Sequence, residues 1–279
     1  MSKIYINNDW LFATSFKEEY IFGNVDENMT KVRLPHTTNE LPFNYFSEEE
    51  YQMLCAYRKV IYAPNEWSNK RVIITFEGAA HYAEVFLNGK KVGEHYSGYT
   101  AFSLELTGNL KFEEENILVV KLDSRENLNI PPFGNVIDYM TYGGIYRDVY
   151  IDVKEKCFIS DVFVKPEFTG KIVSDIALNG EIPLGAKIRQ SAMLEDSENE
   201  ILISEIEISN HEFSVNGYIE NVKLWDIQNP NRYIVTTELI ANNEIIDTHQ
   251  VKVGFRQAEF TKEGFFLNGR RVQIRGLNR

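Results

Sequence analysis

"AEVFLNGKKVGEH" (Ala83–His95) reads as two short strands folded about a single turn. Asn88-Gly89 sits at its centre, and a tight two-residue hairpin loop needs positive φ at both central positions, which Asn and Gly tolerate. Val85 and Leu87 share one phase of the period-two alternation before the turn, and Val92 returns after it, so the stretch predicts a hairpin with one buried face. The same texture recurs in "RVIITFEG" (71–78), "NILVVKLDS" (116–124) and "GIYRDVYIDVKE" (144–155), all rich in β-branched and aromatic residues and bounded by Gly, Asn and Asp. Helical periodicity over a dozen residues is hard to find, so the chain is expected to be all-β. In the last of these runs Ile145, Val149, Ile151 and Val153 share the inward phase with Arg147, while Asp148, Tyr150 and Asp152 share the other. An unpaired buried charge is costly, so Arg147 is expected to hold a buried ion pair, with ligand contact as the alternative.

The chain has 279 residues, enough for two domains that each bury a core. A formal net charge of −12 argues against nucleic acid or an anionic membrane as partner, because both are attracted by an excess of Lys and Arg; a neutral substrate fits better. Cys55 and Cys157 lie far apart without a metal-ligand pattern around them, and packed, reduced thiols are expected. "MSKIYINNDWLF" at the start has no apolar signal region, and no apolar run is long enough to span a bilayer. A cytoplasmic location is the expectation.

After Lys154-Glu155-Lys156 aromatic residues thin out and polar interruptions lengthen. Strands read as "CFISDVFVKPEF" (157–168), "EIPLGAKIRQSAML" (181–194), "ILISEIEIS" (201–209), "YIENVKLWDI" (218–227) and "RYIVTTELIANNEIIDTHQVKVGF" (232–255). Their number and spacing predict an immunoglobulin-like sandwich, with the boundary near Glu155. "LNG" occurs at 87–89, 178–180 and 267–269, at irregular spacing, and marks turns rather than a repeat. The last of them gives "GFFLNGRRVQIRGLNR" (264–279) a hairpin reading, followed by a strand.

Most catalytic signatures are missing: there is no GxGxxG, P-loop, HExxH, CxxC or GxSxG, and His36, His81, His95, His211 and His249 form no spaced ligand pair. Glu48-Glu49-Glu50 and Glu113-Glu114-Glu115 read as solvated surface rather than paired acid/base carboxylates. One stretch asks for more. "NIPPFGNVIDYMTYGGIYRD" (129–148) is a long loop between two strong strands, and Phe133, Tyr139, Tyr142 and Tyr146 gain by burial. Its residues allow two readings: aromatic faces beside a hydroxyl-binding carboxylate, as a sugar site needs, or rings that seal the sandwich end with Asp138 capping a turn.

Taken in order, "VRLPHT" (32–37), "YRKVIYAPNEWSNKRVIITFEGAAHYAEVFLNGKKVGEHYSGYTAF" (57–102), "GGIYRDVYI" (143–151), "KLWDIQNPNRYIVTTEL" (223–239) and "VGFRQAEFTKEGFFLNGRRVQIRGLNR" (253–279) resemble the N-terminal part of glycoside hydrolase family 2, the β-galactosidase and β-glucuronidase family. The resemblance implies a sugar-binding jelly-roll sandwich over 1–155, an immunoglobulin-like sandwich over 156–254, and over 255–279 the hairpin entering a (β/α)8 catalytic barrel. It implies retaining hydrolysis, in which one carboxyl group protonates the leaving oxygen and a second forms a glycosyl-enzyme intermediate. Both of the family's catalytic glutamates lie downstream of the barrel entry, so no catalytic residue is expected among these 279. In relatives an acidic residue before the Gly-Gly-Ile-Tyr-Arg-like motif reaches a sugar hydroxyl; by spacing that residue is Asp138, five before Gly143. A second contact in some relatives is an asparagine, for which Asn44 is the candidate and Asn39 the alternative. The implied ligand is a β-galactoside-type carbohydrate, held weakly or not at all without the barrel. No cofactor is expected here; Mg or Na in the barrel and a homo-oligomeric parent are. A stand-alone carbohydrate-binding module and a pair of structural or adhesive sandwiches stay open, as do β-glucuronidase and β-mannosidase for the parent.

Overall fold

The computed structural model describes residues 3–40, 44, 47, 50–131, 133 and 141–276. The chain divides after Lys154 into two compact units, Met1–Lys154 and Glu155–Arg279. Apart from short 3-10 turns, the regular structure of both is β.

The first unit carries β1 (Ile4–Tyr5), β2 (Trp10–Ala13), β3 (Thr30–Val32), β4 (Leu54–Ala63), β5 (Arg71–Phe76), β6 (Tyr82–Leu87), β7 (Lys90–Tyr96), β8 (Phe102–Glu105), β9 (Glu114–Asp123) and β10 (Val149–Lys154). They form a six-stranded sheet, β3-β2-β4-β9-β6-β7, and a four-stranded sheet, β1-β10-β5-β8, with every pairing antiparallel. Alternate residues of the two sheets interdigitate, as expected of a sandwich. Tyr57, Val85, Leu87, Leu118, Val120 and Leu122 from one meet Val72, Ile74, Phe76, Val149 and Ile151 from the other, all at most 1% exposed. Behind the larger sheet a 3-10 turn (Glu18–Phe22) seats Tyr20 against Ala13, Ala56 and Val119, burying part of a face that alternation alone would leave to water. The hairpin β6–β7 turns at Asn88 (φ 52°) and Gly89 (φ 83°), as its sequence requires.

The second unit carries β11 (Phe158–Pro166), β12 (Lys171–Asn179), β13 (Lys187–Leu194), β14 (Glu200–Glu207), β15 (Glu212–Tyr218), β16 (Tyr233–Ala241), β17 (Glu244–Val253), β18 (Ala258–Thr261), β19 (Gly264–Leu267) and β20 (Arg270–Val272). Sheets β11-β12-β15 and β14-β13-β16-β17 bury Ile159, Ile176, Ile188, Val215 and Leu239 in one cluster and Ile172, Ala192, Val235 and Phe255 in another. A polar string crosses this apolar interior. Ser174 Oγ donates to Gln190 Oε1 at 2.9 Å and Gln190 Nε2 donates to Thr237 Oγ1 at 2.9 Å, all three side chains being fully buried. Strands β18–β20 form a separate three-stranded sheet. Asn268, at its positive-φ turn, ties that sheet down: its side chain accepts from Gln257 N at 2.9 Å and donates to Trp225 O at 3.0 Å.

Both cysteines are buried free thiols, and burial pushes each thiol pKa up, which keeps them protonated and unreactive.

Candidate functional site

Segment 141–148 runs along one end of the first unit's sandwich, clamped on both sides by backbone hydrogen bonds. His36 N donates to Ile145 O at 2.9 Å and Thr38 N to Gly143 O at 3.0 Å; on the other side Glu77 N donates to Asp148 O and Ala80 N to Gly144 O, both at 3.0 Å. The Gly-Gly pair makes this approach possible. Gly144 has φ +119°, and a Cβ there would collide with the carbonyl oxygen of His36; a Cβ on Gly143 would strike Ser124.

The clamp leaves an open cavity of about 490 Å3, lined by Thr37, Ala80, His81, Gly98, Tyr99, Thr141, Tyr142, Tyr146 and Arg147. That volume lies within the range of small-molecule pockets, about 300–1,000 Å3, and the walls are mostly aromatic and apolar, as such pockets usually are. Tyr99 and Tyr142 are half exposed, Tyr142 also stacking on Tyr51 with ring centroids 6.4 Å apart. The Tyr146 hydroxyl donates to Gly98 O, which pins the β7–β8 loop to the segment.

The other polar side chains lining the cavity include those of Thr141, Tyr142, His81 and Arg147. His81 is 4% exposed, and neither of its ring nitrogens has a hydrogen-bond partner among the described residues. Burial lowers its pKa against the weaker upward pull of Asp123, so the ring is neutral near pH 7. Gly98 packs beside the ring, where a Cβ would stand 2.7 Å from Nδ1, and both ring nitrogens are shut off from solvent. Arg147 departs from expectation. It is exposed rather than buried, and forms no ion pair among the described residues; its guanidinium lies 5.6 Å from the Tyr146 ring centroid. The physical reason is local. Regular pairing of β10 begins only at Val149, so the alternation that puts Val149 and Ile151 inward does not extend back to Arg147.

Burial of the loop aromatics is also only partial, with Phe133 47% and Tyr142 50% exposed and Tyr146 half-buried. Asp138 and Tyr139 lie outside the described residues. Asn44 is exposed at a bend and is not among the described residues lining the cavity. Asn39 is exposed too, and its amide donates to Glu50 O at 3.3 Å. The sequence reading passed over His81, Thr37 and Tyr99. Among the described residues no three metal-ligating side chains gather, and no helix is long and apolar enough to cross a membrane.

Comparison with known proteins gives the site a lineage. The chain is 37% identical over 98% of its length to a β-galactosidase of Thermoanaerobacterium thermosulfurigenes, and 29% identical over 99% to a β-glucuronidase of Bacteroides fragilis. It spans about 40% of the length of each. Among solved structures, a Bacteroides uniformis β-glucuronidase superposes with a TM-score of 0.87 at 25% identity, over 99% of this chain and 35% of that one. A putative β-galactosidase from Bacteroides fragilis gives 0.83 at 26%, over 97% and 43%. The sugar binding domain of glycosyl hydrolases family 2 matches residues 3–154, the first unit with its cavity, and a second domain of glycosyl hydrolases family 2 matches residues 157–256. The first of these matches alone takes in more than half of the sequence, and the chain belongs to glycosyl hydrolase family 2.

Proposed function

We propose that this chain is the non-catalytic N-terminal part of a retaining β-glycosidase, most closely of β-galactosidase type. The observation that carries the reading is the 37% identity to a β-galactosidase across nearly the whole chain but only 40% of that relative. In this reading the two sandwiches support a catalytic barrel that holds the acid/base and nucleophilic carboxylates, and Asp138 contributes a contact to a sugar hydroxyl, with Asn44 or Asn39 as a second. The parent enzyme is a cytoplasmic homo-oligomer, and any Mg or Na it uses sits in the barrel. Relatives described as β-glucuronidases support a second reading for the parent substrate.

Two experiments test it. The 279-residue chain, incubated with aryl β-galactoside and aryl β-glucuronide, should release no aryl group; saturable turnover that survives repurification overturns the assignment. In the full-length parent, Asp138→Asn keeps size but removes the charge that strengthens hydrogen bonds to hydroxyls, bonds worth roughly 1.5–3 kcal/mol each. Part of that contact tightens as the ring flattens toward the oxocarbenium-like transition state, so kcat/KM should fall at least about tenfold with the melting temperature unchanged. A lowered melting temperature with kcat/KM intact would rule out the substrate role.

A further inference from the structure

The six-stranded sheet of the first unit has a second face, turned away from the core. Tyr57 and Ile61 point into the sandwich, so on β4 the alternation turns Arg58, Val60 and Tyr62 outward; on β9 Leu118 and Val120 point in, and Glu115, Ile117 and Val119 out. Register sets these side by side, with Arg58 opposite Val119, Val60 opposite Ile117 and Tyr62 opposite Glu115. The 3-10 turn Glu18–Phe22 covers Val119 through Tyr20. Its far end crosses to Ile117, which Gly23 abuts, and to the β6–β7 turn, where Cδ1 of Phe22 lies 3.2 Å from the place a Cβ on Gly89 would take. What stays uncovered here is apolar and aromatic: Phe22 is 72% exposed, Tyr62 54% and, just beyond the turn, Val25 52%.

Arg58 and Glu115 bring opposite charges to this face. Arg58 is half-buried with its Nε shut off from solvent, and among the described residues its guanidinium has neither hydrogen bond nor ion pair. Burial lowers its pKa, and Glu115 pulls the other way through space. Glu115 is exposed and equally without a hydrogen bond or ion pair among the described residues. By contrast Lys17 is paired with Asp26, Lys31 with Asp9, and Lys91 and Lys121 with Glu84. A partly buried guanidinium without a carboxylate is costly, and aromatic side chains around an arginine are the composition of interface hot spots. Along the paired strands Arg58 and Glu115 stand four residues apart, about 13 Å at roughly 3.3 Å per residue, with Val60 and Ile117 midway. A face with a cation at one end, an anion at the other and an apolar middle is complementary to itself turned by half a revolution. A two-fold axis through the Val60–Ile117 pair lays each Arg58 over the partner's Glu115. We propose that this face is the interface of a symmetric homodimer of this chain, closed by two Arg58–Glu115 ion pairs between protomers around Phe22, Val60 and Tyr62. The proposal rests on the homo-oligomeric reading above and gives it a surface; it is tested on the 279-residue chain, so its failure would leave the β-glycosidase assignment standing.

The test is sedimentation velocity of the 279-residue chain over a wide range of concentration, at low and at high salt. A concentration-dependent dimer that salt weakens is expected. Arg58→Glu and Glu115→Arg should each weaken it at least about tenfold, because each sets like charges against one another twice in a two-fold interface. Mixed in equal amounts, the two variants should recover a dimer of nearly the affinity of the unaltered chain, since each supplies the charge the other lacks. That recovery can come only from pairing between protomers. Phe22→Ser should weaken the dimer as well. Glu115 is exposed, so Glu115→Arg reads association and not folding. Melting temperatures taken alongside show whether Arg58→Glu folds; if it does not, Arg58→Gln replaces it and should also weaken the dimer. A chain that stays monomeric, a dimer that none of these changes weakens, or folded single variants that do not recover on mixing would each overturn the proposal.

Discussion

Asn88 at the β6–β7 turn donates from its side-chain amide to Asn116 Oδ1 at 2.8 Å, so two asparagines 28 positions apart close one hairpin onto the next strand. The bond is reciprocated through the backbone: Asn88 Oδ1 accepts from Ile117 N at 2.9 Å. Asn116 is fully buried; it accepts from Lys111 N and donates to Lys111 O, both at 2.8 Å, and its amide also donates to Glu114 O at 3.1 Å and Ile61 O at 3.4 Å. Asn116→Ala strips a partner from Asn88, Lys111, Glu114 and Ile61 together and should cost about 2–4 kcal/mol in urea unfolding. Asn88→Gly keeps the positive φ and should cost about 1–2 kcal/mol. In the double variant the losses should fall short of their sum, because both single changes break the same bond. Strict additivity would show the pair to be uncoupled.

Gly144→Ala should be among the most damaging single changes to the first unit. The new methyl group would meet the His36 carbonyl and stand 3.0 Å from Thr37 Cα, at a φ of +119° that L side chains rarely adopt. A loss of at least about 2 kcal/mol is expected in thermal or urea unfolding. Gly108→Ala, with open space around it, serves as the control and should change stability little.

The string Ser174–Gln190–Thr237 allows a sharper experiment. Gln190→Ala leaves two buried hydroxyls without their partner and should destabilise the second unit by about 2–4 kcal/mol. The triple change Ser174→Ala, Gln190→Leu, Thr237→Val replaces the whole string by apolar groups of similar volume and should recover most of that loss. A triple variant no better than Gln190→Ala would show that packing, and not the orphaned hydroxyls, sets the cost.

Acid should act on the first unit in two windows. Burial holds the pKa of both His36 and His81 below the ordinary value, so the unfolded chain binds more protons than the folded one as pH drops below about 6.5. Their contribution is fully present above that pH and is lost as pH falls toward the folded values. Asp26, bonded by Lys17 and Tyr20, and Glu94, bonded by Lys91 and Tyr82, are held down at about 2, so a second loss follows between about pH 4 and pH 2. Melting temperatures measured from pH 7.5 to 2.5 should show both declines, and His81→Phe should flatten the upper one while leaving the lower one in place. An unaltered upper decline would assign it to groups other than His81.

Strand alternation was legible wherever one face met a core. Val85, Leu87, Val149 and Ile151 point inward as their spacing demands, and Asn-Gly placed the turns at 88–89 and 268–269. The reading failed at Arg147 because periodicity presumes a continuous ladder, and there the chain is held by the isolated bridge between Ala80 and Gly144 and irregular backbone bonds. His81 went unread for a different reason. Being unpartnered is a property of the space around a ring, set by Gly98 and by strands distant in sequence, and no local pattern encodes it. The loop aromatics misled through their hydrophobicity: Tyr142 keeps one side in solvent while stacking on Tyr51.

Strand β10 is the last of the first unit to be synthesised, yet it lies between β1 and β5, with Ile4 opposite Ile151 and Ile74 opposite the same residue on the other side. On a translating ribosome the opening strand must therefore wait for nearly the whole unit to emerge before its partner exists. Until residue 154 clears the exit tunnel, β5 offers an unpaired edge and the apolar row Val72-Ile74-Phe76 has no cover on that flank. At about 5–20 residues per second that interval lasts on the order of ten seconds, during which the uncovered apolar row is open to aggregation.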